Sequence, residues 1–181
     1  PAPPRCRLEH SALQPPAQIP RIPDQGLSPR SLIAHVYRRG QPYRAEISRP
    51  EKAANQDRAA ACEAAGIRWT IHSDEPVTEM NPLRCIENAV TRSMWRDPDN
   101  LLAADEAVPV EVAIRAMTRD AAWQCHSDHE VGSLEPGKLA DFVILDADPR
   151  KVESDQIGRI RVLETWVGGV RVFRSEGEEK A

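Results

Sequence analysis

WTIHSDEPV, residues 69–77, reads as a strand that ends in an acid. A run of aromatic and β-branched residues follows Gly66, stops at the Ser73-Asp74 pair and breaks at Pro76. Such residues suit a pleated, half-buried strand. With residues 67–73 extended, side chains alternate, which puts His72 and Asp74 on one face and Ser73 on the other. Two titratable groups then meet at the carboxyl end of a strand, where parallel α/β folds place their chemistry. The alternative is a turn, with Ser73 and Asp74 bonding nearby backbone ahead of Glu75-Pro76.

The same pattern recurs upstream. Cys6-Arg7-Leu8-Glu9-His10 is a short strand closed by His10, and residues 27–37 carry another, with Leu32-Ile33-Ala34 as its core and His35 at its end. Residues 11–26 have the length of a crossover helix but contain Pro20 and Pro23. An interior proline costs about 3 kcal/mol through a lost hydrogen bond and a ring clash, so a short or broken helix is expected. Residues 40–50 read as a polar loop, and 51–65 as an Ala-rich helix stopped by Gly66. Downstream, 82–93 is a helix with Leu83, Ile86, Ala89 and Val90 on one face, opened by Asn81 and Pro82. Residues 96–107 are acidic and loop-like, and 109–123 form a helix with Val112, Ala113, Ala116 and Met117 as its stripe.

Beyond residue 130 the character changes. Residues 132–138 are turn-rich, Phe142-Val143-Ile144-Leu145 is an apolar strand, and 162–167 and 170–173 are two more joined at Gly168-Gly169, a primed-turn signal. The chain therefore divides into an α/β part over 1–130, with an irregular Pro-rich start, a β segment over 131–174 and a solvated tail over 175–181.

The length, 181 residues, suits one domain and falls short of a closed eight-fold β/α barrel, which needs roughly 250. Hydrophobic residues make up 40%, aromatics only 4%, and mean hydropathy is −0.53, so a thin core of Ala, Val, Ile and Leu is expected. The net charge of −4, with Lys and Arg scattered, leaves no basic face for nucleic acid. Cys6, Cys62, Cys85 and Cys125 form no C-x-x-C pair, a reduced, cytoplasmic pattern. No long apolar run suggests a membrane span, and no basic-then-apolar leader is visible. A chain beginning at Pro1 has lost its initiator Met or been cut from something longer.

GSLEPGKLADFVILDADP at 132–149 and VLETWVGGVRVF at 162–173 resemble the closing segment of the amidohydrolase superfamily. With IHSDEPV at 71–77 and RLEH at 7–10, the chain is similar to the YtcJ-like branch, amidohydrolase family 3, which includes N-substituted formamide deformylases. The resemblance runs from Arg7 to Phe173. It implies the C-terminal part of a metal-dependent hydrolase β/α barrel, strands six to eight, plus part of a small β-sandwich. In such enzymes a His at the sixth strand's tip binds a divalent metal, most often zinc, and an Asp at the eighth is both ligand and general base. By position these are His10 and Asp74, while His35 and His72 are placed beside a small amide substrate. A divalent metal lowers the pKa of bound water from about 16 to near 7, and Asp74 would take that proton and pass it to the leaving amine.

The departures are equally informative. The sequence has no His-x-His, which the family carries on its first strand, and two matched ligands fall short of the three a catalytic zinc usually holds. The isolated chain is therefore expected to be inactive. His72 is an alternative ligand, or packs on a backbone carbonyl. His126 and His129 read as a solvated loop, and Lys138 and Asp141 as structural. The competing reading is a catalytically inert remnant or interaction module that pairs with another chain. Open strand edges imply a homo-oligomer or other edge association.

Overall fold

The computed structural model describes residues 5–42 and 50–176. The Pro-rich start at 1–4, most of the expected polar loop at 43–49, and the end of the expected tail at 177–181 lie outside the described residues. The chain is α/β, as expected, with one parallel and one antiparallel sheet.

Three short strands form the parallel sheet in chain order: β1 (Cys6–Leu8), β2 (Leu27–Ser31) and β3 (Thr70–Ile71). Cys6 aligns with Leu27 and Leu8 with Pro29, and Thr70 aligns with Arg30. The first crossover has a 3-10 turn, Pro16–Gln18, and a single helical turn, α1 (Arg21–Asp24), with Pro20 as its N-cap and Pro23 inside it. The prolines have kept the helix short, as anticipated.

The second strand ends earlier than the sequence suggests. Leu32 still donates its amide to the His10 carbonyl (3.2 Å), but His35 and Val36 then donate back to Leu32 and Ile33, which starts α2 (Ala34–Pro42). His35 therefore stands in the first turn of a helix and not at a strand tip, and Gly40 lies in that helix and not in a loop. A continuous apolar run does not distinguish a buried strand from a buried helix start.

The expected Ala-rich helix is also broken, into α3 (Pro50–Ala53) and α4 (Ala59–Ala64). Between them Asp57 is left-handed, with φ 48°. Its amide donates to the Ala12 carbonyl (3.0 Å), and Gln14 donates to Asn55 (3.1 Å), so this break clasps the loop that follows β1. Arg92, fully buried at the C-terminus of α5 (Pro82–Thr91), locks the clasp by donating to the carbonyls of Gln56 (2.8 Å), Asp57 (3.2 Å) and Leu102 (3.0 Å). The Asn81 side chain caps α5 as expected, accepting from the Arg84 amide at 3.0 Å.

Residues 109–123 form two helices, α6 (Val110–Met117) and α7 (Arg119–Gln124), where one was expected. Thr118 separates them; its hydroxyl bonds the Ile114 carbonyl at 2.8 Å, a local bond that competes with helix continuation. The acidic stretch at 96–107 is not wholly solvated: Glu106 is buried and accepts from Arg58 Nε (2.7 Å) and the Ala61 amide (3.0 Å). Gln124 staples α7 across the sheet, donating to the Pro29 carbonyl (2.9 Å) and accepting from Thr70 Oγ1 (2.7 Å). Ile33, Val36, Trp69, Ala113 and Ala116 centre the core, all fully buried.

The antiparallel sheet comprises β4 (Phe142–Leu145), β5 (Val162–Val167) and β6 (Val170–Arg174). Gly168 and Gly169 both have positive φ (57° and 78°), which a type I′ turn requires. Asp141 accepts the Gly168 amide at 2.6 Å and fixes that turn. The 3-10 turn Ser154–Arg159 joins this sheet to α5, with Ile157 buried and the Gly158 amide on Glu87 (2.7 Å). All of β6 is exposed, with Val170, Val172 and Phe173 open to solvent.

Candidate metal centre

The three strands are too short to position side chains by their ladders alone, so the loops after them do so. His10 follows β1 in a left-handed conformation (φ 62°), its carbonyl tied to Leu32. His72 extends the β3 pairing by one residue, donating its amide to the Ser31 carbonyl (3.0 Å). Asp74 is left-handed as well (φ 64°), in a turn closed by the Val77 amide on the Asp74 carbonyl (2.7 Å) and by the Thr78 hydroxyl on the Ser73 carbonyl. Asp74 thus joins His72 through a turn and not through strand alternation.

Together these turns bring one donor atom each from His10, His72 and Asp74 within 4.8 Å of one another. His10 Nδ1 and His72 Nε2 are 3.4 Å apart, with the rings inclined by 12°. The cluster sits in a cleft of about 580 Å³ that Arg30, Asn81, Cys85 and Met117 also line. The sequence analysis gives Asn81, Cys85 and Met117 no part in the site and does not single out Arg30, whose one sequence signal is a charge inside an otherwise uncharged strand.

Burial pushes the His72 imidazole down to about 4; Arg30 and His10 act in the same direction, while Asp74 and Glu9 oppose them. Its ring is therefore neutral, with a free lone pair, at physiological pH. His35 is also pushed below the usual histidine range, chiefly by burial and then by Arg39, against the pull of Asp74. Its Nε2 is buried and makes no hydrogen bond among the described residues, and the ring is outside the three-donor group. His126 and His129 are exposed, and no such group among the described residues includes them.

The donors suit a borderline divalent cation such as zinc, which takes imidazole nitrogen and carboxylate oxygen. Two nitrogens at about 2.0–2.1 Å from a tetrahedral ion lie about 3.4 Å apart, which is the separation His10 and His72 have. The residues present fit the group.

Residues 2–173 match the amidohydrolase family, and the chain belongs to it. It is 33% identical over 113 residues to an N-substituted formamide deformylase from Arthrobacter pascens, covering 62% of this chain and 20% of that protein. It is 40% identical over 103 residues to the Arabidopsis thaliana protein LONG AFTER FAR-RED 3, covering 56% and 17%. Among solved structures, an uncharacterized metal-dependent hydrolase from Pyrococcus horikoshii superposes with a TM-score of 0.71 at 22% identity, over 82% of this chain and 30% of that one. The chain spans about a fifth of the length of these curated relatives. No helix among the described residues is long and apolar enough to cross a membrane.

Proposed function

We propose that this chain carries part of the active site of a metal-dependent amidohydrolase that cleaves a carbon–nitrogen amide-type bond. On this reading β1, β2 and β3 are strands six to eight of a β/α barrel, and β4 to β6 belong to a small β-sandwich. The convergence of His10, His72 and Asp74 carries the reading. His10 and Asp74 would hold the cation, zinc by donor type, which when bound acidifies water and polarises the scissile carbonyl. Asp74 accepts the proton released from the attacking water and returns it to the departing amine. His72, held neutral by burial and 3.4 Å from His10, would be a third ligand or face the substrate, and His35, pushed below the usual histidine range by burial, would lie beside the substrate. The deformylase relative makes an N-formyl or N-acyl amine the substrate to try.

Cobalt(II) titration of the chain tests metal holding, and hydrolysis of N-formyl amines by the zinc- or manganese-supplied chain joined to the rest of a β/α barrel tests the chemistry. His10→Ala is expected to abolish the visible cobalt absorption, and Asp74→Asn to remove hydrolysis. Cobalt binding indifferent to His10, or hydrolysis indifferent to Asp74, defeats the proposal.

A second reading, an interaction module that pairs with another chain, draws on the exposed β6, where Val170 and Val172 are 66% and 61% accessible. Equilibrium sedimentation tests it, and a monomer at high concentration counts against it.

A further inference from the structure

A second cleft, of about 140 Å³, opens between α2 and α5, and Asn81 and Cys85 line both it and the His–His–Asp cleft. Tyr37 and Arg38 from α2 and Arg84 and Asn88 from α5 line it, together with Thr78 and Glu79. Asn88 is 1% exposed, yet its Oδ1 makes no hydrogen bond among the described residues. Buried polar atoms are nearly always paired, so this acceptor calls for a donor that a ligand brings.

Arg38 and Arg84 bring opposite charge to this cleft, and Arg38 also lines a neighbouring one with Trp95 and Arg96. Arg38 lies 5.9 Å from the Tyr37 ring centre and 5.3 Å from that of Trp95. Arg84 stacks on Tyr37 (5.7 Å) and Arg96 on Trp95 (5.1 Å), so three guanidiniums alternate with two rings. Arg84 is paired with Glu87, whereas Arg38 has stacking partners and forms no ion pair among the described residues. A guanidinium fixed in this way presents its planar fork to a carboxylate with little loss of freedom.

An acceptor and a ring-stacked cation that lack hydrogen-bond and ion-pair partners among the described residues, together with Glu79, are complementary to a zwitterion. We propose that this cleft binds the α-amino-carboxylate head of the substrate, with the carboxylate on Arg38 and the ammonium on Asn88 Oδ1 and Glu79. The enzyme would then act on amides borne on the side chain of an amino acid. The assignment rests on the hydrolase reading only in calling the ligand a substrate.

Calorimetry on the metal-free chain separates the two. Three probes share a formamide and differ at the head: Nε-formyl-lysine has both charges, 6-formamidohexanoate lacks the ammonium, and N-formyl-1,5-diaminopentane lacks the carboxylate. Nε-formyl-lysine is expected to bind about tenfold or more tighter than either analogue. Arg38→Met, at an exposed position where folding is checked by circular dichroism, is expected to erase the advantage over the diamine probe. Equal affinities, or a ranking unchanged in Arg38→Met, overturn the proposal. Hydrolysis of the same probes is scored separately with Asp74→Asn. The correct binding order with hydrolysis indifferent to Asp74 sinks the catalytic reading and leaves the subsite standing; Asp74-dependent hydrolysis without the binding order does the reverse.

Discussion

Replacing Asp57 with Asn isolates one fully buried carboxyl group. Asp57 is fully buried, and neither carboxyl oxygen makes a well-formed hydrogen bond, although the Gln56 side chain and the Leu32 amide lie near enough to pull its pKa down. Burial dominates and pushes the pKa from 3.8 up to about 7, against Arg92. Between those values the folded chain keeps a proton that the unfolded chain has released. Stability supplied by that proton is complete below pH 3.8 and is lost as pH rises through about 7. About three pH units at about 1.4 kcal/mol each bound the loss at about 4 kcal/mol. Asn keeps the shape, tolerates the left-handed backbone and cannot ionise. In urea unfolding at pH 5 and pH 8, wild type is expected to lose about 2–3 kcal/mol more stability across the interval than Asp57→Asn. Parallel pH profiles for the two proteins would show that Asp57 ionises in the folded state as readily as in water, and the reasoning would fail.

Arg92→Met takes a donor from three buried carbonyls, of which that of Asp57 keeps the Ala59 amide, and removes a cation that acts on Asp57; a loss of about 3–5 kcal/mol in denaturant unfolding is expected. Gly132→Ala places a methyl group 2.5 Å from Ala122 Cβ at φ 93°, and a fall in stability of about 2 kcal/mol or more is expected in the same assay. The pair Val170→Lys and Val172→Lys puts charge on β6, and sedimentation is expected to show weaker self-association with the helical content by circular dichroism unchanged.

Much of this architecture is legible where the signal is local. Gly168-Gly169 needs positive φ at two successive residues, Asn81-Pro82 is a cap followed by a ready-made first turn, and Pro20 and Pro23 forbid a long helix; each expectation is met by its own residues. The misplaced boundaries arise where tertiary bonds decide. Nothing in AAACEAAG reveals that Asp57, just before it, is pinned to Ala12 and covered by Arg92, and nothing in LIAHVY tells strand from helix until Leu32 is seen bonding His10. The donors of the candidate site, His10 and Asp74, are visible because each ends a recognisable run. His72 enters the donor group through its 3.4 Å approach to His10, a distance set by two loops that no spacing rule connects. The cleft beside α5 is invisible for the same reason, since Arg38 and Asn88 belong to helices whose packing brings them together.

Backbone strain sharpens the distinction between support and chemistry. His10, Ser11 and Asp74 are left-handed, as are Asp57 and Arg92, and for L-residues this conformation costs roughly 1–2 kcal/mol each. Strain alone does not mark a reactive group, because in Asp57 and Arg92 it serves a buried knot of backbone bonds. At His10 and Asp74 it turns the chain abruptly at the end of a strand, which keeps a donor side chain over the sheet where a regular loop would carry it away. The two sets are mechanically joined: the knot holds Ala12, two residues after His10, and Leu32 holds His10 itself. A strand of three residues cannot fix an imidazole to within a metal bond length unless the loop after it is equally rigid, so the polar knot beside that loop is what the proposed ligand role of His10 requires of so short a sheet.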